Sequence, residues 1–150
     1  MRILGVVLVA VVLSACASGR SDPDRDAEAK SFRPPADKAW IYIVPSSNLA
    51  SVTVTLDGRK VGTLGIENYL RLEVAPGQRA LSVARANIAS AVFRETRDNI
   101  TIVAEAGRCY FLRTAWTDVG TTWREYRVYW ERLTDDEGRR EVNVRWLASP

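Results

Sequence analysis

An all-β domain, built as an antiparallel two-sheet β-sandwich, is what this sequence predicts, and three observations predict it. From residue 38 onward, short runs rich in Val, Ile, Thr, Tyr and Trp are separated at close intervals by Gly, Pro, Asn and Asp, the pattern of strands joined by tight turns. Eight or nine such runs succeed one another with no strand-helix alternation of the kind a doubly wound fold requires. Several of the runs alternate apolar and polar residues, so each presents one face to a core and the other to water. No internal repeat is evident.

The chain opens differently. Arg2 is followed by an apolar run over residues 3–13 and then by the small residues Ser14 and Ala15 and by Cys16, the three-part layout of a secretory signal. Eleven residues fall short of the roughly 20 needed to span a bilayer, so residues 1–15 read as a cleaved leader. Leu13-Ser14-Ala15-Cys16 resembles the lipobox of bacterial lipoproteins, which implies cleavage before Cys16 and diacylglycerol on its thiol. Two or more acyl chains anchor a protein stably where one does not. Ala17 rather than aspartate follows the cysteine, which by the same resemblance implies the outer membrane, facing the periplasm. Residues 16–37, rich in Ser, Asp, Arg, Ala and Pro, read as the lipidated cysteine and a flexible tether. A brief helical turn over residues 26–32 fits inside it, closed by Pro34-Pro35.

The domain is expected over residues 38–148. Residues 39–44 are apolar on both faces and suit a central strand. Val52, Val54 and Leu56 alternate with Ser51, Thr53 and Thr55, and Asp57-Gly58 favours a tight hairpin to a strand over residues 61–64. Residues 69–74 alternate again, and Ala75-Pro76-Gly77-Gln78 has the proline and glycine of a type II turn. Residues 79–85 form the next strand, residues 86–98 have no clear pattern, and residues 99–104 resume the alternation. After a turn at Ala106-Gly107 comes the strongly apolar run 109–116, expected in the middle of a sheet. Residues 123–133 fit either a strand or a helix, with aromatic content favouring the strand. Asp135-Asp136-Glu137-Gly138 reads as a solvated turn, and residues 141–147 as a closing strand with Val142, Val144 and Trp146 alternating.

Several stretches look like a group of small bacterial lipoproteins known as domain of unknown function 2846. They are Ala29-Lys30-Ser31-Phe32-Arg33-Pro34-Pro35, Lys38-Ala39-Trp40-Ile41-Tyr42-Ile43, Leu56-Asp57-Gly58-Arg59-Lys60-Val61-Gly62, Tyr69-Leu70, Val74-Ala75-Pro76-Gly77-Gln78 and Glu105-Ala106-Gly107-Arg108-Cys109-Tyr110-Phe111. The likeness covers residues 29–116 and is shared with PEGA-type surface domains, which have the same strand, Asp-Gly and Pro-Gly order. It implies a prealbumin-like β-sandwich and no particular reaction. Cys109 departs from the group, whose members more often carry another residue before the paired aromatics.

Composition excludes much chemistry. There is no histidine, which removes Ser-His-Asp and Cys-His nucleophiles and the commonest zinc sites. Without Arg2, 20 of the 21 Lys plus Arg stand against 18 Asp plus Glu, a net charge of +2. The charges are interspersed, so nucleic acid is not an expected partner. Cys109, the one cysteine beyond Cys16, reads as a small buried hydrophobe. Asp135, Asp136 and Glu137 lack the alternating spacing of a calcium loop, and Gly58, Gly62 and Gly65 are hairpin glycines rather than a phosphate cradle. Asn99-Ile100-Thr101 matches a glycosylation sequon but reads as the start of a strand. No metal or cofactor is expected.

The aromatic density from Tyr110 to Trp130 is the most unusual feature. Trp116, Trp123, Tyr126, Tyr129 and Trp130 are interleaved with Arg113, Arg124, Arg127 and Arg132, the residue types that dominate binding hot spots, with Trp116, Trp123, Tyr126, Trp130, Arg124 and Arg127 foremost. They form a candidate face for an envelope protein, a glycan or an anionic lipid headgroup. The competing reading is core filling, with arginine stems covering the ring edges. The function expected is a membrane-anchored, non-catalytic envelope binding or accessory module. The alternatives are an enzyme or enzyme subunit acting on polymers such as peptidoglycan, through carboxylates such as Asp57, Glu67 or Glu73, and a purely structural surface component.

Overall fold

The computed structural model describes residues 22–46, 51–85, 98–118 and 126–148. Two sheets pack face to face. The larger is formed by β8 (Tyr126–Arg132), β7 (Cys109–Asp118), β1 (Ala39–Pro45), β4 (Asn68–Val74) and β9 (Trp146–Leu147), in that order. The smaller runs β3 (Arg59–Leu64), β2 (Val52–Leu56), β5 (Gly77–Arg85) and β6 (Asp98–Ala104). The expected two-sheet sandwich is therefore present. It is not uniformly antiparallel: β1 pairs with β7, and β4 with β9, in parallel. Parallel neighbours need a long crossover between them, which alternation within a run does not disclose.

The strand at the centre explains its own composition. β1 lies between β4 and β7. Its residues Ala39, Ile41 and Ile43 enter the core between the sheets with Val54, Leu72, Leu81 and Ile102. Trp40, Tyr42 and Val44 face the other way into a second cluster with Tyr69, Phe111 and Val142. Two helices roof that cluster. α1 (Pro23–Ala29) and α2 (Asp135–Asn143) contribute the buried Ala29 and Val142, so part of the outer face of the larger sheet is covered as well.

The Asp-Gly hairpin forms as expected between β2 and β3, with φ of 49° at Asp57 and 80° at Gly58, the positive angles a tight turn of this kind requires. The Asp57 carboxylate accepts from Ala80 N at 2.9 Å and from Arg79 Nη1 at 3.2 Å, tying the turn to β5.

Two segments depart from the sequence reading. Residues 22–37, assigned by composition to a flexible tether, are folded onto the domain. Asp22 caps α1 and Pro23 occupies its first turn, where proline's missing donor costs nothing. The Asp26 carboxylate then accepts from Tyr69 Oη and Leu147 N, both at 2.9 Å, and from Lys30 Nζ at 2.8 Å. Tyr42 donates its hydroxyl to the Ala29 carbonyl at 2.5 Å. A segment poor in large apolar residues is thus held by polar anchors that composition does not weigh.

The second departure is at the C-terminal end. Residues 135–138 are not a turn but the first turn of α2. Thr134 Oγ1 accepts from Glu137 N, and the Glu137 carboxylate accepts from Thr134 N, a reciprocal capping box. Asp135 and Asp136 lie where the helix dipole favours negative charge. The expected closing strand over residues 141–147 shrinks to the two residues of β9. Val142 is buried beneath the helix, whereas Val144 and Trp146 lie at the surface.

Candidate functional site

Helix α2 covers part of the outer face of the larger sheet and leaves one corner open. Along β7 and β8 alternate side chains point to that outer face, and Arg113, Ala115, Tyr129 and Glu131 do so beyond the end of the helix. With Pro45 and Ser46 from the end of β1, Trp116 at the rim, and Glu141 and Arg145 from α2 and its exit, they line a cleft of about 390 Å³.

A chain of charges crosses it. Arg113 stands opposite Glu131 in the β7–β8 register and pairs with it at 3.3 Å. Its other terminal nitrogen reaches Glu141 at 2.8 Å, and Arg145 closes on the same carboxylate. Burial pushes the Glu141 carboxyl up, but the hydrogen bond and charge of Arg145, with Arg113 behind it, outweigh burial and hold it below its ordinary value. Two polar atoms here, Ser46 Oγ and Arg145 Nε, are buried with no hydrogen-bond partner in the structure.

A charge-balanced, partly aromatic cleft of this kind suits a polar ligand. Its two carboxylates do not stand free: Glu131 pairs with Arg113, and Glu141 with both Arg113 and Arg145. Asp57, Glu67 and Glu73 do not converge. Glu67 and Glu73 stand at opposite ends of β4, about 20 Å apart along a strand, and Asp57 belongs to the other sheet. Among the described residues no group of three or more His, Cys, Asp or Glu is placed to hold a metal ion.

The described members of the aromatic-arginine group do not share one face. Trp116 and Trp130 are half-buried against the core between the sheets. Trp130 donates its backbone N–H to Asp98 Oδ2 at 2.9 Å and its indole N–H to the Asp98 carbonyl at 3.2 Å, clasping β8 to β6 across the sandwich. Arg127, exposed, falls on the opposite side of β8 from Trp130, because successive residues alternate. Tyr126 opens β8 opposite Asp118. Trp123, Arg124 and Cys16 lie outside the described residues. The structure thus places Trp116 and Trp130 largely in a core-filling role.

The cleft residues Ser46, Glu131, Glu141 and Arg145 carry no sequence signal individually. One was within reach: Glu141 and Arg145 are four apart, the spacing of a helical ion pair, visible once residues 135–143 are read as helix. Cys109 is half-buried beside Phe32, its Sγ 3.5 Å from the Phe32 carbonyl oxygen, and burial raises its thiol pKa against the weaker opposing pull of Arg139. That is the state of an inert thiol.

Asp26 and Glu141 set an acid limit. Burial raises the Asp26 pKa, but hydrogen bonds from Lys30, Tyr69 and Leu147 together outweigh it, so the net shift is downward. A carboxylate whose folded pKa is lowered contributes stability that is fully present above its unfolded value and is lost as pH falls through the folded one. Stability is therefore expected to be flat from neutral pH to the ordinary values of 4.5 for Glu141 and 3.8 for Asp26, and to fall below them. Urea unfolding across an acid series checks this, and Asp26→Asn should flatten part of the slope.

No protein-family model matches the chain, and no curated protein matches it. Among the described residues no helix is long and apolar enough to cross a membrane.

Proposed function

We propose that the protein is a lipid-anchored module of the bacterial cell envelope, held to the outer membrane on its periplasmic side through Cys16. It is a non-catalytic binding or accessory domain that takes a polar envelope component in the Arg113-Glu141 cleft. One observation carries the reading: the apolar run of residues 3–13 ends on Leu13-Ser14-Ala15-Cys16, where a lipid-modified cysteine would stand. Support for binding rather than turnover comes from the cleft's chemistry, two guanidinium groups neutralised by two carboxylates with a tyrosine beside them. Such a lining offers donors and acceptors for hydroxyl and amide groups but has no histidine or thiol nucleophile. The resemblance to small lipoproteins of the 2846 group points the same way.

The test has two arms. In cells, Cys16→Ala is expected to move the protein out of the membrane pellet, and its retention there would overturn the anchor. In vitro, soluble glycan strands from digested peptidoglycan are added to the purified protein and to Arg113→Ala. Saturable binding that the variant loses supports the reading, whereas release of new fragments from intact peptidoglycan would make the protein an enzyme.

A further inference from the structure

Large apolar side chains left at the surface gather at one corner of the described fold. Ile66 is 55 % exposed, Val144 77 % and Trp146 46 %. Ile66 lies in the turn before β4, next to Glu67, whose carbonyl accepts from Trp146 N at 3.0 Å. Trp146 pairs with Asn68 in the β4–β9 register, and Val144 precedes it by two residues at the end of α2. Val103, also exposed, stands apart on β6. A cation borders the corner: Lys30 Nζ lies 5.7 Å from the centre of the Trp146 ring and donates to the Arg145 carbonyl at 2.8 Å.

The N-terminal chain departs from this same corner. Asp26 accepts from Leu147 N, the residue after Trp146, and Asp22 caps α1 four residues earlier, about 6 Å along the helix axis. Five residues separate Asp22 from Cys16, so the backbone between them reaches at most about 20 Å in any conformation. A lipid on Cys16 would hold the corner close to the bilayer surface. Tryptophan is the side chain most at home at a membrane interface. Asp22, Asp24 and Glu28 are exposed on α1, so negative headgroups are not the attraction.

From this we infer that Ile66, Val144 and Trp146 seat in the headgroup region of the phospholipid bilayer that carries the lipidated Cys16. The inference rests on the acylation proposed above. The acyl chains supply the anchor, and the corner sets the orientation, turning one edge of the sandwich toward the membrane. The contact is apolar and therefore insensitive to salt on a bilayer without net charge.

The experiment uses the full acylated protein, purified from membranes and reconstituted into phosphatidylethanolamine-phosphatidylcholine vesicles whose acyl chains are brominated near the headgroup. The chain has five tryptophans, so wild type is compared with Trp146→Phe, and the mass at Cys16 is read in the same samples. The expected result is loss of part of the wild-type emission in brominated vesicles, unchanged in high salt and absent from Trp146→Phe. Equal quenching of the two proteins, or none, in samples whose mass shows acylated Cys16 overturns the seating and leaves the anchor standing. An unacylated Cys16 overturns the anchor, and the seating with it.

Discussion

Replacing Gly138 by alanine is expected to lower the melting temperature by about 5 °C, although helix propensity alone predicts a gain of up to about 1 kcal/mol. Gly138 lies in the first half of α2, flat against Phe111. A methyl group at Gly138 would come within 2.1 Å of Phe111 Cγ and 2.4 Å of its Cβ and Cδ1. These are not the far end of a flexible chain. Phe111 is buried, stacked on Tyr42 with ring centres 5.0 Å apart, and tilted against Phe32 at 5.9 Å. The ring has nowhere to retreat, so α2 must lift. Overpacking of this kind costs about 1–3 kcal/mol and occasionally more, which exceeds the propensity gain. Thermal unfolding of Gly138→Ala beside the exposed-site control Arg140→Ala measures the difference. Pairing Gly138→Ala with Phe111→Ala should cost less than the sum of the two single changes, because Phe111→Ala removes Cγ and Cδ1, two of the three atoms in conflict. A Gly138→Ala protein as stable as wild type would mean that α2 does not pack where described.

Asp26→Ala is expected to cost about 3–5 kcal/mol, because three hydrogen bonds lose their acceptor at once and hydrogen bonds to charged groups contribute more than neutral ones. Two of the donors have no easy substitute. The Tyr69 side chain is buried, and Leu147 N belongs to β9, whose two-residue pairing with β4 is slight by itself. The third donor, Lys30 Nζ, keeps the Arg145 carbonyl but loses its ion pair with Asp26. The loss should therefore be both global and local. Urea unfolding reports the first, and faster amide hydrogen exchange at Leu147 reports the second. Tyr69→Phe removes a single donor to that carboxylate and should cost about 1.5–2 kcal/mol. If Asp26→Ala proves no worse than Tyr69→Phe, α1 does not fasten the C-terminal end of the chain.

These two residues also mark where sequence legibility ends. The strands could be read because each signal is local: the alternation of Val52, Val54 and Leu56, the Asp57-Gly58 turn, and the two-sided apolar content of β1 that its central position requires. The helices were less legible: the helical turn expected over residues 26–32 overlaps α1 (Pro23–Ala29), but its docking onto the domain and the whole of α2 were obscured for definite reasons. At the start of α2 the acids Asp135 and Asp136 and the glycine at 138 mimic a solvated turn, while Thr134 and Glu137 carry the capping signal three residues apart. In α1 the stabilising contacts reach from Asp26 to Tyr69 and Leu147, residues far along the chain. The parallel pairing of β1 with β7 is equally non-local.

The candidate site was less legible than the fold. Arg113 and Tyr129 belong to the conspicuous arginine-aromatic stretch, but their cleft partners come from the end of β1 and from α2. Aromatic density pointed instead to Trp116 and Trp130, which are drawn to the core because β7 and β8 present alternate residues to opposite faces. An isolated run cannot say which of its two faces a helix will cover.

The mass of the intact protein extracted from membranes in detergent tests the account most directly. A chain that begins at Cys16 and carries diacylglycerol on its thiol is the predicted result. A chain that retains residues 1–15, or that begins elsewhere with Cys16 absent or unmodified, would contradict it.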